Sequence, residues 1–525
     1  MTNGIEIDGS VLVGAERRIA DAKFRSIDPA SGETFGPGYS EAGAQDIEDA
    51  CALAQDAAET FGGLAPDVRA RFIEAVAEHI LAIGEPLIAT AAFETGLPRA
   101  RLEGELGRTA AQLRLFADEV RRGEWLDATL DSALPDRVPP RPALGRINLP
   151  LGPVVVFGAS NFPLAFSVAG GDTASAFAAG CPVIVKGHRA HPGTGELAAR
   201  AIRAAVQQCG LPEGVFSYLA GTSHQLGSGL VSDPRVKAVG FTGSRRGGLA
   251  LVELAASRPE PIPVFAEMSS INPVIIMPNA LAARAEAIAS GFAASLTMGV
   301  GQFCTNPGLI LALDGPDLDR FIEAVSRELA SSAPGVMLTP GIHNAYARGV
   351  ADLEGHGCTR RVAGSADVIP LRGSSALFET CGADFLREPG LQDEVFGPSS
   401  LLVRCTDMAE LRSVLASLEG QLTATIQFDP ADEADVAALT PLLAARAGRL
   451  LANGWPTGVE VAASMVHGGP FPATSDTRFT SVGTLAMMRF LRPVCFQNLD
   501  DRLLPPALQA ANPWRIPRRV DNCRG

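Results

Sequence analysis

Along the first quarter of the chain, apolar positions recur with the period of a helix. Ile47, Ala50, Leu53, Ala54 and Ala57 fall on one face, as do Phe72, Val76, Ile80 and Leu81, which predicts mainly helix over 46–125. From 131 to 149 prolines accumulate and PRPALGRINL alternates, predicting extended ribbon. Short β-rich runs then trade places with helical stretches. Strands are predicted at 154–157, 183–186, 215–219 and 236–241, and helices at 164–179, 193–205 and 247–256. That alternation predicts a parallel, doubly wound sheet. A second alternating region runs from 267 to about 454, with strands at 273–277, 309–313 and 399–403 and a helix at 318–330. Near the end, RFLRPVCFQNL alternates as an exposed pairing strand does. The last dozen residues, with Arg515, Arg518, Arg519 and Arg524, are basic and expected to be loosely ordered.

A chain of 525 residues is too long for one ordinary core, so two or three domains are expected. The balance of 58 acidic against 44 basic residues, net -14, argues against nonspecific binding to nucleic acid or an anionic membrane. Nine cysteines lie scattered with no CxxC pair, and the seven histidines form no HExxH. A disulfide framework or zinc ribbon is therefore not expected, no metal is expected, and a reducing, cytoplasmic location fits. The opening MTNGIEIDGS lacks the basic and apolar parts of a signal peptide. No charged residue occurs from Ile147 through Gly171, yet Pro150, Pro153, Asn161 and Pro163 interrupt that stretch, which suits a buried strand, loop and helix better than a membrane span.

The chemistry gathers around one cysteine. Cys304 sits in GQFCTNP, where Gly299, Gly301 and Gln302 make a poor core and a good bend. A lone cysteine is ordinarily a small buried hydrophobe, the reading taken for the other eight. Here a thiolate nucleophile is favoured. Asn161, in FGASNFP, offers a side-chain amide for an oxyanion, or a cap for the following helix. Glu267, in FAEMSSINP, directly follows a strand-like run and offers a general base, though a solvated glutamate is the commoner case. KAVGFTGSRRGG, from Lys237 to Gly248, reads as strand, glycine-rich turn and helix start, a place for phosphate, but GxGxxG is absent.

Taken together, these segments resemble the aldehyde dehydrogenase family over roughly residues 20–505. The resemblance implies an α/β fold of two doubly wound parallel-sheet domains plus a small β oligomerisation arm. It places a helical part of the cofactor domain at 1–130, an oligomerisation ribbon at 131–150, a dinucleotide-binding domain at 151–266 and a catalytic domain at 267–466. An oligomerisation tail at 467–505 and the basic end at 506–525 complete the chain. Cys304 then attacks an aldehyde to give a thiohemiacetal, hydride leaves to a nicotinamide, and Glu267 activates the water that hydrolyses the thioester, with Asn161 as oxyanion donor. Retention of Glu267 implies a free carboxylic acid as product rather than a coenzyme A thioester. Gly243 and Ser244 fall where the family's turn approaches the pyrophosphate, Lys186 beside the adenine ribose, and Glu394 at the nicotinamide ribose. Arg189 stands where many NAD-using relatives carry Glu, so NADP is expected to be preferred over NAD. Ser160 in place of Trp, and Met268-Ser269-Ser270 in place of Leu-Gly-Gly, mark a subgroup.

GASNFPLAFS, AAGCPVIVKGH, NGWPTGVE and VHGGPFPATS resemble an NADP-tolerant bacterial branch that acts on 2-oxoglutarate semialdehyde or on long-chain fatty aldehydes. The keto-acid substrate leads and the fatty aldehyde is the alternative. Substrate candidates are Arg108, Phe166 and Phe303. Gly104, Arg108 and Gln112 share a helix face by spacing, and Arg108 either anchors a distal carboxylate or pairs with Glu105 or Glu119 in solvent. The ribbon near Arg141–Leu149 and the strand near Arg492–Gln497 resemble parts that bridge subunits, so a homodimer or homotetramer is expected. A cofactor-independent thiol hydrolase would explain Cys304 but leaves Lys186, Ser244 and Glu394 without purpose. An inactive binding protein would be expected to have lost the Cys304, Asn161 and Glu267 set, and all three are present.

Overall fold

The computed structural model describes residues 6–365 and 369–524; the opening MTNGI, on which the leader expectation partly rests, lies outside them. Four helices, Ala44–Gly62, Pro66–Ala82, Gly84–Thr95 and Arg99–Arg122, form where the 3.6-residue period predicts them. The first packs directly on a seven-stranded sheet, and the other three pack on the helices Gly171–Ala179 and Pro192–Gln208 that cover it. Its spatial order is Val264–Glu267, Ala238–Thr242, Val154–Phe157, Val183–Lys186, Phe216–Leu219, Val11–Val13 and Glu16–Arg18. The first five strands run parallel, and the two N-terminal strands close the edge antiparallel. Phe61, Phe72, Phe177 and Phe216 meet edge to face in the core between helices and sheet.

Strand order decides where a ligand can sit. Of the five parallel strands Val154–Phe157 comes first in the chain, yet it lies between the second, Val183–Lys186, and the fourth, Ala238–Thr242. Connections leaving these neighbours diverge to opposite faces, opening a crevice at the carboxyl ends. Gly158 to Asn161, Lys186 and Gly243-Ser244 all follow those ends.

A second seven-stranded sheet follows in the order Arg360–Gly364, Ala376–Cys381, Ser399–Cys405, Leu309–Leu313, Pro273–Ile276, Gln421–Gln427 and Ala447–Ala452. It is parallel except for its first strand. Only residues 268–272 separate Glu267, the last residue of the first sheet, from Pro273, the first strand residue of the second. Carboxyl ends of one sheet therefore abut amino ends of the other. Cys304 lies just before Leu309–Leu313 and Glu394 just before Ser399–Cys405.

A five-stranded sheet of Leu491–Gln497, Leu144–Pro150, Thr129–Asp131, Arg519–Val520 and Cys523–Arg524 forms the arm. The predicted tail strand pairs over seven positions with Leu144–Pro150 of its own chain, leaving one unpaired edge that carries Pro493.

Three expectations need correction. The end of the chain is ordered rather than loose: Arg519 and Val520 pair with Thr129 and Leu130, Ile516 is buried, and the Asp521 carboxylate accepts from Ser132 and Arg141. The helix expected over 164–179 starts only at Gly171, because the amides of Leu164 and Ala165 donate to the buried Glu105 carboxylate and hold the chain in turns. Gly104 is exposed, and the inward face of Arg99–Arg122 carries Arg101, Glu105, Arg108 and Gln112 instead. Among the described residues no single helix is long and apolar enough to cross a membrane.

Candidate active site

The turn before Cys304 is built by three successive left-handed residues, Gly299, Val300 and Gly301, with φ of 54°, 59° and 62°. Glycine takes this conformation freely, whereas a β-branched valine stores strain on the order of 1–3 kcal/mol. A side chain at Gly301 would sit 2.3 Å from the Gly397 carbonyl carbon, so this glycine lets the nucleophile turn touch the loop that carries Glu394. Asn272 fixes the other side: its Nδ2 donates to the carbonyls of Cys304 and Asn306, each at 2.9 Å.

The half-buried Cys304 Sγ lies 3.2 Å from His467 Nε2, and that nitrogen lies 2.9 Å from Glu267 Oε1. Ser481 Oγ donates to the other Glu267 oxygen. Burial pushes the Glu267 carboxyl up, but the His467 imidazole beside it and the hydrogen bonds from Ser481 and Cys304 bring it net below the ordinary carboxylate value. Burial and the Glu267 carboxylate together hold the Cys304 thiol well above its ordinary 9.0. The thiol is thus protonated at rest, and a proton acceptor must stand beside it. Sγ, the imidazole nitrogen and a carboxylate oxygen lie within 4.8 Å of one another, a spacing one metal ion could span. The three groups already contact each other directly.

Asn161 lies opposite. Its amide donates one hydrogen to the Gln302 carbonyl at 3.1 Å, leaving the second for another acceptor. Phe162, Phe166 and Phe303 form an aromatic wall, with Phe162 5.3 Å from each of the other two rings. Arg108 turns inward over the Phe166 ring and donates to the Val459 carbonyl, pairing with neither Glu105 nor Glu119. Its Nε and Nη2 are sealed without a partner.

One cavity of about 490 Å³ joins Cys304, Glu267 and Asn161 to the cofactor candidates, and the substrate candidates Arg108, Phe166 and Phe303 lie outside its lining. Its walls include Asn161, Glu267 and Cys304 at one end and Lys186, Arg189, Gly243, Ser244 and Glu394 elsewhere. Ser244 caps the helix Arg245–Ala256, accepting from the Gly247 amide, so the helix start faces the cavity. A side chain at Gly243 would strike the Phe241 ring at 2.7 Å. Lys186 is depressed to about 8 by burial and by Arg189, against the opposing pull of Glu41. Glu394 is pushed up to about 8 by burial, opposed by a Ser270 amide. A cationic end, a helix start and a buried carboxyl fit a dinucleotide: anions at the first two, ribose hydroxyls at the third.

Sequence reasoning missed His467, Ser481, Asn272 and Arg101 as parts of this site. VHGGPFPATS and FAEMSSINP carried two of them in plain view, but nothing local says what they touch.

A thiol nucleophile beside a carboxylate, at the end of a dinucleotide-sized crevice on a doubly wound sheet, defines an oxidoreductase working through a covalent thiol adduct. The profile of the aldehyde dehydrogenase family matches residues 17–470, and the chain belongs to that family, whose members use NAD(P). It is 56% identical over 524 residues to alpha-ketoglutaric semialdehyde dehydrogenase 2 of Azospirillum brasilense, covering 98% of this chain and 99% of that one. It is 46% identical over 520 residues to alpha-ketoglutaric semialdehyde dehydrogenase of Acinetobacter baylyi, covering 98% of each. A 1-pyrroline-5-carboxylate dehydrogenase from Thermus with bound NAD shares the fold, at TM-score 0.81 and 20% identity over 94% of this chain and 93% of that one.

Iodoacetamide alkylation of Cys304, followed by peptide mapping without cofactor, should keep accelerating above pH 9 in the wild type. Removing the neighbouring charge in Glu267→Gln should move that profile to lower pH. An unmoved profile contradicts the coupling of thiol and carboxylate.

Proposed function

We propose that this chain oxidises 2-oxoglutarate semialdehyde to 2-oxoglutarate, preferring NADP and also using NAD. The observation that carries the reaction is the single cavity holding Cys304, Asn161 and Glu267 together with Lys186, Arg189, Ser244 and Glu394. The substrate reading is supported by the two near-full-length relatives that bear that activity in their names.

The groups on hand act in sequence. His467 Nε2, within reach of both Sγ and Glu267, takes the thiol proton as Cys304 attacks the aldehyde carbon. The free amide hydrogen of Asn161 holds the oxygen that gains charge, a contact worth about 3–4 kcal/mol in comparable sites. A nicotinamide cofactor held by Lys186, Gly243, Ser244 and Glu394 would supply the hydride acceptor that oxidises the adduct to a thioester. Glu267, held by Ser481, then takes a proton from water as it attacks the thioester, and the acid departs. Cys304, Asn161 and Glu267 are the catalytic residues of this reading. Gly243, Ser244, Lys186 and Glu394 hold the cofactor, and Arg189 reads its 2′-phosphate. Arg189 is exposed and has no ion pair among the described residues, which leaves its guanidinium for a phosphate. The unpaired edge of Leu491–Gln497 supports a homodimer, or a tetramer of dimers, in which a second copy covers the arm.

Following nicotinamide reduction over 2-oxoglutarate, succinate and glutarate semialdehydes and hexanal should give the highest kcat/KM for the first. A clear preference for hexanal contradicts the substrate assignment in favour of a fatty aldehyde enzyme. Arg189→Glu should raise KM for NADP and spare NAD, at a cost of about 2 kcal/mol. Unchanged coenzyme selectivity contradicts the role given to Arg189.

A further inference from the structure

We propose that Arg101, rather than Arg108, receives the distal carboxylate of the substrate and sets the preference for short carboxylated aldehydes. The inference rests on the reading of the cavity as an aldehyde-oxidising site.

Arg101, Glu105 and Arg108 occupy one inward face of the helix Arg99–Arg122, and two of the three are spent. Glu105 accepts the amides of Leu164 and Ala165 at 2.8 and 3.0 Å. Arg108 donates to the Val459 carbonyl, and its remaining nitrogens are closed off from any incoming group. Arg101 differs. Only its Nη2 is engaged, donating to the Asn161 carbonyl at 2.7 Å. It is half-buried, forms no ion pair among the described residues, and its other nitrogens are not sealed.

Its position relative to the chemistry is set by two aromatic rings. The guanidinium lies 5.0 Å from the centre of Phe162 and 4.6 Å from that of Phe303. Phe162 follows the oxyanion donor and Phe303 precedes the nucleophile. A cation is therefore clamped one residue from each reacting group, with donors still unused. A five-carbon acid aldehyde spans roughly 5 Å between its end carbons at ordinary bond lengths, so thiol attack at one end leaves the carboxylate to meet this fork. Ala159, Ala165, Phe166 and Val482 make the neighbouring wall apolar, with Val459 and Met465 packed on it. Low polarity there strengthens a guanidinium–carboxylate pair. An alkyl chain laid there would desolvate the Arg101 charge and offer it no counter-charge in return.

The test is the ratio of kcat/KM for 2-oxoglutarate semialdehyde to that for pentanal, an uncharged aldehyde of equal carbon count. It is measured in wild type, Arg101→Met, Arg101→Lys and Arg108→Met. Arg101→Met should lower the ratio roughly 10–100-fold, mainly through KM, the span expected for one lost charged hydrogen bond. Arg101→Lys should restore part of it. Should the methionine variant not fold, Arg101→Gln reads the same ratio. Equal losses on both aldehydes would make Arg101 only a brace for Asn161 and overturn the proposal. So would an unaltered ratio, or a loss confined to Arg108→Met. Wild type with no preference for the carboxylated aldehyde overturns the substrate reading above instead, a result visible before any variant is made.

Discussion

The geometry of this site hangs on the buried side-chain amide of Asn272, which ties Cys304 to the frame that carries Glu267. Asn272 has a left-handed φ of 48° and is fully buried. Its nitrogen holds the backbone of Cys304 and Asn306, and its oxygen accepts from Ser270 and Thr423. Gln421 Oε1 in turn accepts from Ser270 Oγ and from the amides of Ile271 and Asn272. Residues 270–272, between Glu267 and the second sheet, are thus pinned to that sheet by side chains, helped by the Gly308 amide, which donates to the Ile271 carbonyl at 2.9 Å. Without the pins, two sheets meeting end to end would leave the distance between thiol and carboxylate to chance.

Electrostatics completes what the pins begin. A carboxylate near a buried thiol would by itself keep the thiol protonated, and it does so in the resting site. His467 resolves the conflict by lying within contact of both groups, so that the proton leaving sulfur has somewhere to go. At the far end of the cavity Lys186 and Arg189 gather positive charge, the Lys186 pKa being lowered by burial and then by Arg189. Negative and positive ends face each other across one crevice, an arrangement suited to an anionic dinucleotide even without a glycine fingerprint.

Much of this was legible in the chain. Periodicity located the early helical stretch and the central strands of both sheets, because apolar spacing responds directly to burial, but it did not mark Val11–Val13, Ala376–Cys381, Gln421–Gln427 or Ala447–Ala452. The segments around Cys304, Asn161, Glu267 and Ser244 were legible because each is a short run whose residue types suit one job. What remained hidden depends on distant contacts. Cys304 meets His467 across 163 positions, Ser481 meets Glu267 across 214, and Arg101 meets Asn161 across 60. Local pattern cannot encode such meetings. The misread start of the helix at Gly171 has the same origin, since the amides that would have extended it are captured by Glu105 about 60 residues earlier. The basic end of the chain looked loose because its order comes from pairing with Thr129 and Leu130, far back in the sequence.

The account turns on division of labour between Cys304 and Glu267: one forms the bond to the substrate, the other releases it. Mixing the Glu267→Gln variant with NADP and 2-oxoglutarate semialdehyde, then measuring reduced cofactor and peptide mass together, addresses this directly. The account predicts a burst of about one equivalent of reduced nicotinamide per site, then a stall, with an acyl adduct accumulated on the Cys304 peptide. Sustained turnover with an unmodified Cys304 peptide would contradict it.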